Sequence, residues 1–321
     1  MQIKLWGVRG SIPAPLSNDE YQVKITQILE HAIDYGLKNK EEINAFTRTL
    51  PEELRYTYGG NTTCASVKST STGKIYIIDC GTGVRKLGYE LMTGACGEGK
   101  GEIDIFLTHS HWDHIQGIPF FIPIYVPGNI INIYSPYNDQ EEYLNKQMIS
   151  PYFPIQFRDT PCVKNYHILP IKDRKPFQLE ENLTVEYIPL KHPGGSFAYK
   201  FTEGNKSFIF ATDAEFTGES LEILKEETNN FFKNTDLLII DSQYTLDESF
   251  KKFDWGHTSY TMAVNCGIRW NVKYLVLTHH EPAYEDGKLK ENLEAAIEHR
   301  NQSNHEKPKI FMAREGLTFN L

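Results

Sequence analysis

Short apolar runs recur along the chain and alternate with stretches whose apolar residues have helical spacing. Runs of this length bounded by turn residues predict buried strands. The strands predicted in this way cover residues 2–9, 64–68, 74–79, 103–107, 130–134, 185–188, 198–201, 207–211, 237–240, 274–277 and 309–313. The helices predicted between them cover residues 18–49, 84–92, 114–121, 141–149, 221–232, 258–270 and 287–300. Both halves interleave strands with helices, which predicts two sheet-and-helix layers packed together.

One helical stretch, at about residues 16–55, lies between two turns and has the character of an insertion. Its apolar residues Val23, Ile25 and Ile33 have helical spacing, Gly36 interrupts it and Pro51 closes it. Two interpretations are open: a plain packing element, or a lid or dimer-contact arm. No repeat or linker divides the rest of the sequence, so we predict one domain over residues 1–321.

Polar residues of the types that bind metals follow six of the predicted strands. One such histidine or aspartate is usually structural, but six together are hard to explain by stability alone. Loops at strand ends are held by a rigid sheet, and active sites gather there. The six residues are Asp79, His109, His192, Asp213, Asp241 and His279. This set predicts an active site at one edge of the sheets.

The densest group of such side chains lies in residues 108–114, with the sequence Thr-His-Ser-His-Trp-Asp-His. Because these residues follow an apolar strand, they are expected on a loop at the sheet edge. There His109 and His111 would point toward one metal ion, and Asp113 and His114 toward a second. Neutral imidazole is a common metal ligand, and Zn²⁺ accepts imidazole and carboxylate together.

Four further segments carry candidate site residues. The turns around Arg9 and Asn61 are rich in glycine, which allows a ligand to approach the backbone but is also required by a tight turn alone. Both side chains are expected to contact substrate. Asp79 is expected to hold the histidine loop by accepting hydrogen bonds rather than to ligate metal. The aromatic segment Pro151-Tyr152-Phe153-Pro154 either walls a pocket or packs in the core.

The composition narrows the class of protein. The chain has 321 residues, 40% of them hydrophobic and 23% charged, which is enough for a large core. A net charge of -9 argues against long nucleic acid as substrate, because proteins that bind phosphate backbones usually present basic surface. Five cysteines without a CxxC pair predict reduced thiols. With no signal-like segment and no long apolar run, a cytoplasmic protein is expected.

The order of the strand-end residues resembles that of the metallo-β-lactamase superfamily. The matching elements are Asp79, the HxHxDH motif at residues 109–114, His192, Asp213 and His279. The resemblance implies an α/β fold, the four-layer αββα sandwich (metallo-β-lactamase fold), with two metal ions at one edge of the paired sheets. A bridging aspartate is typical of the phosphodiesterase and tRNase Z-like branch rather than of the β-lactamases themselves.

The same resemblance assigns the metal ligands. The first metal would be held by His109, His111 and His192, the second by Asp113, His114 and His279, and both by the bridging Asp213. His279 is preferred to His280 because it directly follows the apolar strand and Thr278. Two divalent ions, most simply Zn²⁺, fit this set, although Mn²⁺ and Fe²⁺ also accept nitrogen and oxygen ligands.

The segment Gly256-His257-Thr258-Ser259 resembles the GH[ST] motif of that branch. The resemblance implies that His257 contacts the phosphate and protonates the leaving oxygen, a step that phosphodiester hydrolysis requires. Asp241 would orient His257, and the following helix N-terminus would favour an anion. The expected catalytic residues are His257, Asp113 and Asp241, and the expected substrate contacts are Arg9, Asn61 and His257.

These residues predict a dinuclear metal-dependent phosphodiesterase that uses a metal-bridging hydroxide. The glycine- and proline-rich arm with which tRNase Z enzymes grip tRNA is not found between Gly117 and His192, so a small phosphodiester such as a cyclic nucleotide is favoured. The alternatives are a thioester or lactone hydrolase on the same scaffold and a tRNase Z-like RNA endonuclease. No membrane partner is expected, and a homodimer is expected only because dimers are the commonest assembly.

Overall fold

The computed structural model describes residues 1–172, 174–223 and 225–321, and every element named below lies in these ranges. The strands are β1 (Gln2–Gly7), β2 (Cys64–Lys68), β3 (Ile75–Ile78), β4 (Glu102–Phe106), β5 (Ile130–Ser135), β6 (Val163–Ile168), β7 (Phe177–Glu180), β8 (Leu183–Leu190), β9 (Ser196–Glu203), β10 (Lys206–Ala211), β11 (Leu237–Asp241), β12 (Tyr274–Thr278), β13 (Lys309–Met312) and β14 (Thr318–Asn320). The α-helices are α1 (Asn18–Tyr35), α2 (Ile43–Thr49), α3 (Glu52–Arg55), α4 (Val84–Leu91), α5 (Trp112–Ile115), α6 (Gln140–Gln147), α7 (Gly218–Glu222), α8 (Glu226–Phe232), α9 (Leu246–Lys251), α10 (Tyr260–Arg269) and α11 (Asp286–Gln302). Short 3-10 helices cover Lys40–Glu42, Ala95–Glu98, Ile118–Phe120, Ile122–Tyr125 and Phe157–Asp159.

The described strands form two seven-stranded mixed sheets. The order is β14-β1-β2-β3-β4-β5-β6 in the first sheet and β13-β12-β11-β10-β9-β8-β7 in the second. Strands β3 to β6 are parallel to one another, and so are β10 to β13. The carboxyl ends of parallel strands open into loops at one edge of their sheet, where α/β proteins bind ligands.

Alternate residues of the central strands face two different apolar layers. In β11, Leu237 and Ile239 belong to the core between the two sheets, whereas Leu238 and Ile240 pack with residues of helices α10 and α11. On the outer face of the first sheet, Ile77 belongs to a third cluster that includes residues of α4. Strands covered on both faces have nearly continuous apolar sequences. The layers confirm the αββα sandwich expected from the sequence.

Local capping places one loop that matters for the site. The hydroxyl of Ser259 accepts a hydrogen bond from the Met262 backbone N–H at 3.3 Å and so begins α10. Serine is among the best residues at this position because it satisfies an N–H group that the helix leaves unpaired. Val264 and Cys266 are buried on the side of the helix that packs against the core. The cap fixes the residues just before it, which include His257.

Helices α1, α2 and α3 occupy the segment at about residues 16–55, and α1, the longest of them, lies on the surface. That this segment is an insertion stays a prediction. Ser17 and Glu20 form a capping box at the start of α1, and Gly36 ends the helix with a left-handed backbone. No residue of α1 is buried, so it is not a core element. Lys24 ties it to α11 through an ion pair with Asp286 at 2.7 Å. The lid or dimer-arm role stays a prediction.

Neither α1 nor another described helix combines the length and apolarity that crossing a membrane requires.

Glu203, at the end of β9, is expected to stabilise the fold in a pH-dependent way. Burial would raise its pKa, but the amino group of Met1 and hydrogen bonds from Thr70 and Ser69 lower it to about 2. A carboxylate with a lowered pKa in the folded state contributes stability above its unfolded pKa and loses it as the pH falls toward the folded value. We expect Glu203→Gln to cost about 2 kcal/mol in the free energy of unfolding at pH 7. Urea titrations should show a smaller difference at pH 3.5, and an equal difference would contradict this assignment.

Candidate dinuclear metal centre

Three strand ends turn sharply through left-handed backbone. Asp79 after β3, Asp213 after β10 and His279 after β12 have φ angles of 59°, 56° and 63°. Residues other than glycine adopt this conformation at a cost, and such residues gather at functional sites. The turn directs each side chain across the sheet edge. Gly10 leaves room for the last of them, since a Cβ atom there would lie 2.5 Å from Nδ1 of His279.

The first ligand cluster consists of His109, His111, His192 and Asp213, whose ligand atoms all lie within 4.8 Å of one another. Nε2 of His192 lies 3.0 Å from Nδ1 of His111 and 3.5 Å from Oδ1 of Asp213. Nε2 of His109 lies 3.8 Å from the same carboxylate oxygen. Three imidazoles and a carboxylate oxygen around one point are the donor set that Zn²⁺ and similar ions accept.

The second cluster consists of Asp113, His114, Asp213 and His279, again with ligand atoms within 4.8 Å of one another. Nε2 of His114 lies 2.9 Å from Oδ2 of Asp213 and 3.3 Å from Oδ2 of Asp113. Nε2 of His279 lies 3.0 Å from that oxygen of Asp113 and 3.3 Å from Oδ2 of Asp213. Asp213 therefore presents one oxygen to each cluster, as the sequence-based assignment of a bridging carboxylate requires.

Unsatisfied polar atoms support a metal role for these side chains. Among the described residues, Nε2 of His109 is buried without a hydrogen-bond partner, and Nε2 of His114 and Oδ2 of Asp213 lie 2.9 Å apart without the alignment of a hydrogen bond. Native proteins rarely leave such atoms unpaired, and each one needs an explanation. Cations coordinated at these atoms would provide it, so the residues present fit a pair of divalent ions.

The charges around the clusters agree with this interpretation. Burial lowers the pKa of His109 well below its ordinary value, which favours the neutral imidazole that ligates metals. Burial would also lower the pKa of His114, but Asp213, Asp113 and Asp79 raise it well above the ordinary value. Burial would raise the pKa of Asp213, but His114, His279 and His109 hold it well below. The second cluster thus stabilises positive charge, which a divalent ion supplies.

Asp79 holds the histidine loop, as expected from the sequence. Its Oδ1 accepts a hydrogen bond from the Thr108 backbone N–H at 2.8 Å, and its Oδ2 lies 2.8 Å from Nδ1 of His114. A carboxylate that takes the Nδ1 proton leaves Nε2 of the same ring free to ligate. Asp79 itself belongs to neither ligand cluster.

Asp79→Asn is therefore expected to weaken metal binding at the second cluster about 10- to 100-fold. The amide would present N–H groups to His114 and favour the ring tautomer whose Nε2 carries the proton. Titration of the protein with a competing chelator would measure the change. Asp104→Asn is the matched control, because Asp104 is also buried but lies within β4 and pairs with Lys74 at 2.6 Å. Equal metal loss in both variants would show that destabilisation alone is responsible.

His257 lies beside the second cluster with a carboxylate partner. Its Nδ1 is 2.7 Å from Oδ2 of Asp241, and its ring stacks 4.9 Å from that of His279. Asp241 also accepts hydrogen bonds from the backbone N–H groups of Thr258 and Asp213, each at 3.1 Å. One carboxylate therefore fixes both His257 and the residue shared by the two clusters. Because His257 can form a third ligand group with Asp213, Asp241 and His279, a direct metal contact is the competing role.

Arg9 and Asn61 lie in turns, as expected, but their side chains bond to other parts of the protein. Arg9 is 4% exposed, and its guanidinium donates to the carbonyl oxygens of Gly59 at 3.0 Å and Tyr284 at 2.6 Å. The Asn61 side chain donates to Oε1 of Glu315 at 2.9 Å. Their hydrogen-bonding groups hold turns together, so a substrate contact is not supported. The first turn reaches the site through its backbone instead, where the Ser11 N–H donates to Oδ2 of Asp113 at 2.9 Å.

Sequence reasoning missed Glu215, which supports the first cluster. This buried side chain accepts a hydrogen bond from the Gly256 backbone N–H at 3.3 Å and pairs with Lys191. The carbonyl oxygen of Gly256 in turn lies 2.9 Å from Nδ1 of His192. The available signal was a carboxylate two residues after Asp213 in an otherwise apolar segment.

His280, the alternative to His279 as a ligand, points elsewhere. Its Nε2 lies 2.8 Å from the carbonyl oxygen of Ala313, and burial lowers its pKa to about 3. It belongs to none of the ligand groups that the described residues form. The structure therefore places His279 alone of this pair at the centre.

Comparisons with known proteins agree with this geometry. A family model described as the beta-lactamase superfamily domain matches residues 75–280. Ribonuclease Z of Prochlorococcus marinus (strain MIT 9515) is 23% identical in an alignment 278 residues long that covers 71% of this chain and 85% of that protein. The crystal structure of the short form of human tRNase Z aligns with a TM-score of 0.62 at 17% identity, covering 100% of this chain and 99% of that one.

A diphosphatase from the PhnP family aligns with a TM-score of 0.57 at 16% identity, covering 99% of this chain and 96% of that one. At these identities the two structural similarities establish the fold. The family match covers more than half of the chain and includes every ligand in the two clusters. The chain therefore belongs to the beta-lactamase superfamily and has the metallo-β-lactamase fold.

Proposed function

We propose that the protein is a metal-dependent phosphodiesterase that hydrolyses a small phosphodiester such as a cyclic nucleotide, with Zn²⁺ as the metal. The proposed ligands of the first ion are His109, His111 and His192, and those of the second are Asp113, His114 and His279. Asp213 belongs to both groups and would bridge the two ions. When bound, such a pair of ions lowers the pKa of a water molecule and neutralises charge on a phosphate.

The observation that carries this proposal is the position of His257. A hydrolase of thioesters or lactones has less need of a proton donor beside its metals, whereas an alkoxide leaving a phosphodiester does need one. Asp241 accepts the Nδ1 proton of His257 at 2.7 Å, so in the doubly protonated imidazolium form the Nε2–H group can donate its proton to the leaving oxygen. Asp241 is thus a positioning residue in this scheme, and Asp113 contributes a carboxylate oxygen that lies 3.0 Å from Nε2 of His279 in the second ligand cluster.

The names of the similar proteins support chemistry at phosphorus. Ribonuclease Z, tRNase Z and diphosphatase each denote cleavage of a bond to phosphorus. Two of these names denote RNA substrates, so an RNA endonuclease is the second candidate function. Against it stands the net charge of -9, since binding to a long phosphate backbone depends on basic side chains.

A substrate panel tests the proposal. Zinc-loaded protein would be assayed with 2′,3′- and 3′,5′-cyclic nucleotides, bis(p-nitrophenyl) phosphate, a tRNA transcript and a thioester, with Asp213→Asn as the blank. We expect turnover of cyclic nucleotides that is lost in the variant. Thioester turnover without phosphodiester turnover would overturn the proposal.

Salt dependence separates the two phosphodiester candidates. Binding of a long nucleic acid releases many counterions, so its affinity falls steeply with salt concentration. We expect KM for a cyclic nucleotide to change little between low and moderate salt. Cleavage of the tRNA transcript at a much higher kcat/KM, with a steep salt dependence, would favour the endonuclease.

A further inference from the structure

A cavity of about 840 Å³ opens directly beside the first ligand cluster. Its lining includes His109 and His111 but is otherwise made of residues that have no part in the proposed chemistry. The aromatic members are Trp112, Tyr137, Tyr143 and Tyr152. We call this cavity the aromatic pocket. Its volume lies in the range of sites that hold one small molecule.

Two of the aromatic side chains are exposed to an unusual degree. Trp112 is 76% exposed although it lies between two proposed ligands in sequence, and Tyr152 is 81% exposed. Exposing large aromatic rings to water is unfavourable. A group of exposed aromatic rings next to a reactive centre therefore marks a binding surface. Tyr152 thus walls a pocket, whereas its neighbour Phe153 packs against a core cluster, so both alternatives that the sequence left open apply to parts of this segment.

The other aromatic side chains are held in place by the protein. The ring of Tyr137 packs against Phe197 at 5.7 Å, and its hydroxyl donates to the Gly194 carbonyl oxygen at 3.4 Å. The hydroxyl of Tyr143 donates to Asp139 at 3.4 Å. The pocket therefore combines fixed walls with exposed rings that a flat ligand would cover.

The lining is suited to a flat ring with polar edges rather than to an alkyl chain. Aliphatic contacts are few, and the amides of Gln116 and Gln147 lie among the aromatic rings. Their Nε2 atoms donate to Thr62 Oγ1 and to the Ile115 carbonyl oxygen, each at 3.0 Å, so the amide groups are held in position. Nucleobases stack on aromatic side chains and form hydrogen bonds at their edges.

We propose that the aromatic pocket binds the nucleobase of the substrate, with the phosphate directed to the adjacent histidines. This inference rests on the proposed phosphodiesterase function and narrows the substrate class to nucleoside phosphodiesters of mononucleotide size. Trp112 and Tyr152 are the specificity-determining residues, because they supply the exposed faces on which the base stacks.

Binding of two product-like probes to the metal-loaded protein tests the pocket. Adenosine 5′-monophosphate and ribose 5-phosphate share the sugar phosphate and differ in the base. We expect calorimetry to show tighter binding of the nucleotide. Trp112→Ala and Tyr152→Ala should each weaken nucleotide binding about tenfold and leave ribose 5-phosphate unchanged. Trp112→Phe keeps an aromatic face and should retain most of the affinity.

Tyr89→Ala is the matched control, since Tyr89 is 48% exposed on α4 and is not part of the pocket lining. Metal content would be measured for every variant, and Tyr152→Ala tests the pocket from a segment that carries no ligand. Equal affinity of the wild-type protein for the two probes would overturn the proposal. So would an equal loss of both probes in Trp112→Ala and Tyr152→Ala.

The substrate panel tests the proposed function and the probe titration tests the pocket, so either proposal can be rejected without the other. Phosphodiester turnover without a preference for the nucleotide would retain the proposed function and reject the base-binding pocket. A nucleotide preference that depends on Trp112 without phosphodiester turnover would retain the pocket and reject the proposed function.

Discussion

Asp213→Asn should abolish hydrolysis and weaken metal binding at both clusters. Asp213 directs Oδ1 toward the first cluster and Oδ2 toward the second, so one substitution removes a negative charge from both. An asparagine keeps the shape of the side chain but cannot bridge two cations as a carboxylate does. Metal ions contribute several kcal/mol of transition-state stabilisation, so activity should fall on the order of a thousandfold or more.

Metal content after dialysis and kcat on the best substrate of the panel would measure these effects together. Asp236→Asn is the matched control, because Asp236 immediately precedes β11, away from the site, and accepts a hydrogen bond from the Ser207 N–H at 3.1 Å. The control should retain its metal and its activity. If Asp213→Asn kept the full metal content and lost only activity, the aspartate would be a general base rather than a bridge.

The residues that the structure groups at the sheet edge could be named from sequence because most of them follow apolar runs that indicate buried strands. The run Leu237–Ile240 is buried on both faces and is therefore continuously apolar, so its sequence indicates a strand independently of the neighbouring residues. The same holds for the strands before His109, Asp213 and His279. Strand direction then brings the polar residues that follow to a shared edge, and metal chemistry limits what such a group can do.

The elements that sequence reasoning missed are those without a clear pattern of apolar residues. Strands β6, β7 and β14 lie at or next to sheet edges and are mostly half-exposed or exposed, so they carry no apolar run. Residues 114–121 were expected to form one helix, but α5 ends at Ile115 and a 3-10 helix containing Pro119 follows. The helix expected at 221–232 is divided into α7 and α8, with residue 224 outside the described residues. Helix α9 was not predicted at all.

The role of Arg9 shows what a sequence cannot reveal locally. Its guanidinium joins carbonyl groups of Gly59 and Tyr284, which lie 50 and 275 positions away in the chain. A buried arginine with several backbone acceptors and an arginine that binds phosphate have the same local sequence. Only the fold distinguishes them, whereas a histidine that follows a buried strand is already constrained by its neighbours.

His257→Ala should lower kcat for a cyclic nucleotide by about 10²- to 10⁴-fold, the usual contribution of general acid catalysis. The reason is that the alkoxide oxygen of a ribose leaves poorly unless it is protonated as the bond to phosphorus breaks. A nitrophenolate oxygen is a far weaker base and needs little help. The same variant should therefore lose much less activity on bis(p-nitrophenyl) phosphate than on the cyclic nucleotide.

This dependence on the leaving group distinguishes three roles for His257. A proton donor gives a large loss on the cyclic nucleotide, a small loss on the aryl ester and an unchanged metal content. A group that only neutralises phosphate charge gives equal losses on both substrates. A metal ligand, the role that its third grouping with Asp213 and His279 offers, gives reduced metal content. His299→Ala is the matched control, because this histidine is also partly buried and pairs with Asn265 at 2.8 Å, on α11 away from the clusters. Equal losses on both substrates, or a reduced metal content, would show that His257 is not a proton donor. The preference for phosphodiester over thioester hydrolysis would then lose the observation that carries it.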